Sequence, residues 1–369
     1  MSFLEVINNY RSFDIAAYQK QVSRQHIESI ISKPHLNIED FLALISTAAY
    51  DLREPIARKA FELTRRHFGN TVVLFTPLYL SNYCENHCAY CSFAAHQKIK
   101  RKKLSLAEIE QESAAIAAQG MRHILLLTGE APLRAGVEYL REAVEICKRH
   151  FSSIAIEVLP LSTNDYRTLG TAGVDALTIY QEVYDQPLYH SYHTGGPKDD
   201  YNFRIDAPER ALDAGYRSVT IGPLLGLGEP QSEILFTALH LRYLQDNYPA
   251  AEISVSMPRM RPLIGEFKQP YIVADGQFVQ MMMALRLLFP TIGITVSTRE
   301  SQEFRSNILP MGVTKMSGGV STAVGGHSNR DSDGQFEIAD TRSVIELRND
   351  LLAAGYQPVM HDWNQLLSR

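Results

Sequence analysis

The sequence predicts an α/β fold, a (βα)8 barrel of the TIM type with a helical extension at its N-terminus and a tail at its C-terminus. Three observations point there. From residue 71 onward, eight short apolar runs alternate with longer amphipathic ones. The apolar runs are continuous, as in parallel strands buried on both faces. Polar and glycine residues gather just past the ends of these runs, where barrel enzymes carry their chemistry. The length of 369 residues suits one barrel with extensions.

Residues 1–70 make the extension. Apolar residues recur at helical spacing from Ile15 to Ile31. Asn37-Ile38-Glu39-Asp40 then opens a helix through Phe41 to Ile45, and the pattern resumes from Glu54 to Phe68. No catalytic motif is found here, and the simplest reading is a helical cap.

Residues 71–317 make the barrel. Its strands are expected at Val72–Leu80, His123–Thr128, Ile154–Leu159, Ala176–Gln181, Ser218–Pro223, Ile253–Met257, Ile292–Ser297 and Val313–Met316. Helical stretches such as Leu106–Gln119, Val137–His150, Ile234–Asn247 and Phe278–Phe289 lie between them. Gly120, Gly173, Gly215 and Pro290 punctuate the alternation. Residues 318–369 form a tail with a final helix.

Composition sets bounds. Apolar residues make up 45% and charged residues 21%, an ordinary globular balance. A net charge of −5 implies no broad attraction to nucleic acid or to membrane. The basic run Lys98 to Lys103 is a local exception, either a solvated loop or a docking patch. No signal peptide and no bilayer-length apolar run is found.

The chain has four cysteines, and three of them, Cys84, Cys88 and Cys91, fall within eight positions as C-x3-C-x2-C. So tight a thiolate array in a Cys-poor chain is a soft-metal site. Structural zinc needs four ligands, usually in two pairs, and no second pair is present. Three thiolates on a four-iron cluster leave one iron open to a small molecule. Thiols needed in the reduced state point to the cytosol. Cys147 sits in an amphipathic helical pattern and reads as a small apolar residue.

The array, with Tyr90 before its last cysteine, resembles the signature of the radical S-adenosylmethionine (SAM) enzymes. The resemblance implies a 4Fe-4S cluster on the three cysteines and SAM chelating the open iron. Further stretches are similar to the cofactor motifs of that family. Thr128-Gly129-Glu130 resembles its G-G-E motif, which receives the SAM ammonium. That chemistry suits acceptors, because an ammonium only donates. Gly222-Pro223-Leu224-Leu225-Gly226-Leu227-Gly228-Glu229 resembles the stretch laid along the adenine, and it also reads as a tight strand-to-helix turn. Glu157, a lone carboxylate in an apolar strand, is a candidate acceptor for the ribose hydroxyls. Arg204 resembles the arginine that pairs with the SAM carboxylate, with a surface helix arginine as the rival.

A narrower resemblance covers nearly the full chain. Phe68-Gly69-Asn70-Thr71, Pro77 to Asn82, Ile99 to Lys102, Glu112 to Ile116, Tyr180-Gln181-Glu182, Ser297 to Ser301, Gly355 to Val359 and Asp362-Trp363 are similar to the tyrosine lyases of thiazole biosynthesis, the 2-iminoacetate synthases. The match departs at Val183 and is loose over Gly318–Asp340, to which no function is carried. The resemblance implies cleavage of L-tyrosine at Cα–Cβ to 2-iminoacetate and 4-cresol, for the thiazole of thiamine. It also implies a flavodoxin- or ferredoxin-type electron donor and a thiazole synthase partner. The substrate carboxylate needs a bidentate guanidinium. Arg299, with Ser297, is the first candidate and Arg259, with Ser256, the second; a barrel-mouth salt bridge is the alternative for each. The related hydrogenase maturase carries a second cluster on C-terminal cysteines, and no Cys follows Cys147 here. Other aromatic substrates, or a non-catalytic iron-sulfur protein, stay open at this point.

Overall fold

The structure, a computed structural model, describes residues 2–262, 267–328 and 333–361. Asp362 and Trp363 lie outside the described residues. Nine strands form one parallel sheet: β1 Thr71–Ser81, β2 His123–Thr128, β3 Ser153–Glu157, β4 Ala176–Glu182, β5 Ser218–Pro223, β6 Glu252–Ser256, β7 Gly293–Val296, β8 Lys315–Ser317 and β9 Gln357–Val359. The first eight pair in sequence order, and β1 also pairs with β8, which closes the ring. All eight expected strands are present. The ninth adds to the start of β1 at Thr71–Val73. Three residues are too few to show a period, so nothing in the sequence marks it.

Two register shifts break the ladder, between Tyr79 and Ser81 and between Tyr180 and Glu182. Both lie at C-terminal strand ends, where bulges re-aim side chains toward a site. At the second, Glu182 has φ +68°, in the left-handed region that non-glycine residues seldom occupy.

The N-terminal helices cover the barrel's flank. Ile15 to Ile31 is two helices rather than the single run its spacing predicts. Ile15–Gln19 ends in a turn, and Ser23 caps Arg24–Ser32 by accepting from His26 N. Asn37 and Asp40 form a reciprocal capping box on Ile38–Leu44. Gln280, on the barrel helix Asp275–Leu288, donates to Leu44 O and Ser46 O at 2.8 Å each. Phe3 stacks on His240 at 3.9 Å. Both contacts tie the extension to the barrel.

The tail returns over the strand ends. Glu112 accepts from the backbone N–H groups of His327 and Ser328, at 2.9 Å each. Asp340 is buried between Arg305 and Arg342. The helix Val344–Ala353 then leads to β9. No helix among the described residues is long and apolar enough to cross a membrane.

Candidate active site

The loop after β1 is shaped by backbone contacts and by one arginine. Gly129 N donates to Ser81 O at 2.8 Å, and Glu85 N to Glu130 O at 2.9 Å. A Cβ at Gly129 would stand 2.4 Å from Tyr83 O, so only glycine admits this approach. Arg101 donates to Asn82 O (2.6 Å), Phe93 O (2.7 Å) and Ala94 O (2.6 Å), drawing the two ends of the loop together. Cys84, Cys88 and Cys91 thereby line one cavity with Asn86, Thr128 and Glu130.

Among the described residues, no three His, Cys, Asp or Glu side chains converge as ligands of a single ion would. The three thiols surround a space instead, which suits a polynuclear cluster. Burial pushes Cys84 up to about 11, with Glu130 and Cys91 adding to it, and burial raises Cys88 and Cys91 too. Such thiols keep their protons until a cation replaces them. The Thr128 hydroxyl, on the wall of the same cavity, is buried without a hydrogen-bond partner. Three thiols lining one cavity, a glycine-enforced wall and a hydroxyl without a partner among the described residues fit a thiolate-held cluster with a polar ligand beside it.

Five acidic and basic side chains line this chamber, and four of them pair with one another. Glu130 accepts from Asn86 Nδ2 (2.9 Å) and Arg204 Nη1 (3.0 Å). Lys198 Nζ lies 2.5 Å from Glu182 Oε1, and Arg204 Nη2 lies 3.9 Å from the same oxygen. Arg204 Nε also donates to Tyr180 O at 2.9 Å. Burial pushes the Glu130 carboxyl up, but Arg204, Lys198 and Asn86 outweigh it and hold the group below its usual range. Tyr90 OH lies 2.7 Å from His193 Nε2, whose Nδ1 bonds Tyr189 O. Burial, Lys198 and Arg204 press the His193 pKa down to about 2, so its ring is neutral and Nε2 accepts from Tyr90.

A second cavity adjoins the first. The two share Cys91, Glu157, Tyr180, Glu182, Lys198 and Gln335. Arg299, Ser297 and Ser256 line the second. The Arg299 guanidinium lies over the Phe336 ring at 3.5 Å. Among the described residues it has no hydrogen-bond or ion-pair partner. Glu157 lacks one as well, and burial beside Glu182 lifts its carboxyl to about 7 despite Arg299. Tyr180 OH donates to Ser256 Oγ at 3.1 Å.

Two of the candidate residues lie outside these cavities. Arg259 does not face this cavity. It forks onto Glu300 and donates to Asp275 Oδ1 (2.7 Å) and Val273 O (3.0 Å), the salt bridge that was its alternative. Gly222 lines neither cavity. A Cβ there would fall 1.7 Å from Ser256 O, so close packing of β5 on β6 requires the glycine.

The sequence reading passed over Asn86, Arg101, Glu182, His193, Lys198, Gln335 and Phe336. The ion pairs could be suspected at Glu182 alone, since it closes a strand with polar residues. Lys198 follows a Gly-Gly-Pro turn and carries no signal. Gln335 lies 244 residues from Cys91, which its amide approaches, and Phe336 follows it in the chain.

A parallel barrel whose mouth presents three thiols around one cavity is the frame of a radical SAM enzyme. The Radical SAM superfamily model matches residues 78–241, and the Biotin and Thiamin Synthesis associated domain model matches residues 256–357. The chain is 39% identical to 2-iminoacetate synthase of Salmonella typhimurium over 93% of its own length and 92% of that protein's. The Escherichia coli protein of the same name is 38% identical over the same shares. The structure of the FeFe-hydrogenase maturase HydG from Carboxydothermus hydrogenoformans superposes with a TM-score of 0.90 at 30% identity, covering 98% of this chain and 86% of that one. This chain belongs to the radical SAM superfamily, and within it to the 2-iminoacetate synthase family. Its cofactors are accordingly a 4Fe-4S cluster and SAM.

Proposed function

We propose that this protein is a radical SAM carbon-carbon lyase that cleaves the Cα–Cβ bond of L-tyrosine, releasing 2-iminoacetate (dehydroglycine) and 4-cresol for the thiazole of thiamine. The observation that carries this reading is the unpartnered Arg299 guanidinium in a cavity that opens onto the three thiols.

Cys84, Cys88 and Cys91 would hold the cluster, which together with SAM would supply a 5'-deoxyadenosyl radical. Thr128, through its carbonyl and free hydroxyl, and Glu130 accept from the SAM ammonium, with Gly129 giving the backbone room. Arg204, beside Glu130, would pair with the SAM carboxylate. Glu157 would accept from the ribose, and Tyr90, whose OH lies 2.7 Å from His193 Nε2, would contact SAM. Arg299 grips the tyrosine carboxylate as a fork, assisted by Ser297, which fixes the substrate before any bond breaks. Ser256, already oriented by Tyr180, lies across the same cavity as a further polar contact. Tyr79, Leu125 and Leu127 line the cavity wall and keep water from the reacting carbon.

A flavodoxin- or ferredoxin-type protein delivers the electron, and the reducing cytosol keeps the thiols free. A thiazole synthase takes the product directly, because an imine hydrolyses in water.

The test is anaerobic incubation of the reconstituted protein with SAM, a reductant and each aromatic amino acid in turn, with products identified by mass. 4-Cresol from tyrosine alone is expected. Products from tryptophan but not tyrosine would overturn the substrate. No spectral change on adding SAM would leave an iron-sulfur carrier.

A further inference from the structure

The tail segment that the resemblance left without a role reaches the cysteines. Gln335 stands where the two cavities meet. Its Oε1 accepts from Tyr79 OH at 2.8 Å, which orients the amide. Its Nε2 is then turned to Cys91 Sγ, at 3.9 Å. The amide is fixed from behind as well. Gln335 N donates to Thr322 O at 3.2 Å, and Thr322 Oγ1 donates to Phe336 O at 3.0 Å. A Cβ at Gly334 would lie 2.5 Å from Thr322 Oγ1, so the segment has little room to shift. Phe336, next in the chain, carries the Arg299 guanidinium on its ring.

An N–H aimed at a cluster sulfur draws electron density from it and favours the more negative, reduced state. Such bonds are among the levers that set cluster potentials. The backbone N–H of Phe93 already reaches Cys91 Sγ at 3.4 Å. Gln335 adds a second donor to the same sulfur, from a segment more than 240 residues away. We propose that Gln335 is a positioning residue that raises the reduction potential of the cluster through its amide N–H to Cys91, with Tyr79 holding the amide in that orientation. The tail is thus part of the redox site and not only its cover. This inference rests on the reading of Cys91 as a cluster ligand.

The test is an EPR-monitored redox titration of the anaerobically reconstituted full-length enzyme and of Gln335→Leu and Gln335→Glu. Leu removes the donor, and Glu removes it while keeping an acceptor for Tyr79. Both variants are expected to hold as much iron per chain as the unaltered enzyme. Their midpoints are expected to fall, Glu further than Leu, by roughly tenfold in the reduction equilibrium, ~59 mV for a one-electron couple. A midpoint unchanged in both variants, or raised in either, overturns the proposal. The reading beneath it is checked separately by Cys91→Ala. Loss of the cluster there, with unshifted Gln335 variants, sinks this inference alone. A complete four-iron cluster in Cys91→Ala sinks both.

Discussion

The two adjoining cavities are built on opposite plans. Around the thiols, four of the five acidic and basic side chains are paired: Glu130 with Arg204, and Glu182 with Lys198 and Arg204. Arg299, in the neighbouring cavity, and Glu157, which borders both, stand without partners among the described residues. The difference teaches which half is finished before its ligand arrives. A charge-balanced wall holds its shape unaided, as a cofactor site must. On the proposed reading, the partner of the Arg299 guanidinium is the substrate carboxylate. The same contrast separates the two arginines at the barrel mouth. Arg259 is engaged by Glu300, Asp275 and Val273 O, whereas Arg299 keeps its fork free.

The contrast can be broken from the finished side first. Replacing Cys84, Cys88 or Cys91 singly by Ala is expected to abolish both cluster and turnover, read as iron content and 4-cresol formed. A four-iron cluster retained in any of the three would show that the ligand set is wrong. Next in size is Glu182→Gln. It leaves Lys198 and Arg204 short of a counter-charge in a buried network, a loss of about 3–5 kcal/mol in folding stability by urea titration. A loss below about 1 kcal/mol would show that Lys198 and Arg204 are satisfied without the Glu182 charge.

On the open side, Glu157→Gln is expected to weaken SAM binding roughly tenfold, the worth of one hydrogen bond to a charged acceptor. Equilibrium dialysis against labelled SAM measures it, and an unchanged affinity removes Glu157 from the ribose. The smallest effect belongs to Arg259→Lys. Loss of the fork onto Glu300 is expected to cost about 1 kcal/mol of stability and to leave the KM for tyrosine unchanged. A raised KM there would return Arg259 to the substrate.

The barrel is legible in the sequence because each of its strands is a compact apolar run closed by a turn residue. The cysteine cavity is legible because its three cysteines are local, set by the spacing from Cys84 to Cys91. What completes the site is not local. Glu182, Lys198 and Arg204 meet Glu130 only once β2 and β4 are in register and the segment after β4 folds back. Arg259 and Arg299 look alike in sequence, each close to hydroxyl-bearing residues past a strand. Glu300 and Asp275 decide between them, and nothing in the order of residues says which arginine they take. Gln335 and Phe336 arrive from the tail, where no periodic pattern marks a site.

The central claim is that the thiol-lined cavity and the Arg299 cavity serve one reaction. Measuring 5'-deoxyadenosine and 4-cresol together, in anaerobic incubations of the unaltered enzyme and of Arg299→Lys, tests it most directly. Both products should rise in step in the unaltered enzyme. The variant should still form 5'-deoxyadenosine while its 4-cresol falls ~30-fold or more, about 2–5 kcal/mol of lost clamping. Undiminished 4-cresol from Arg299→Lys would contradict the account.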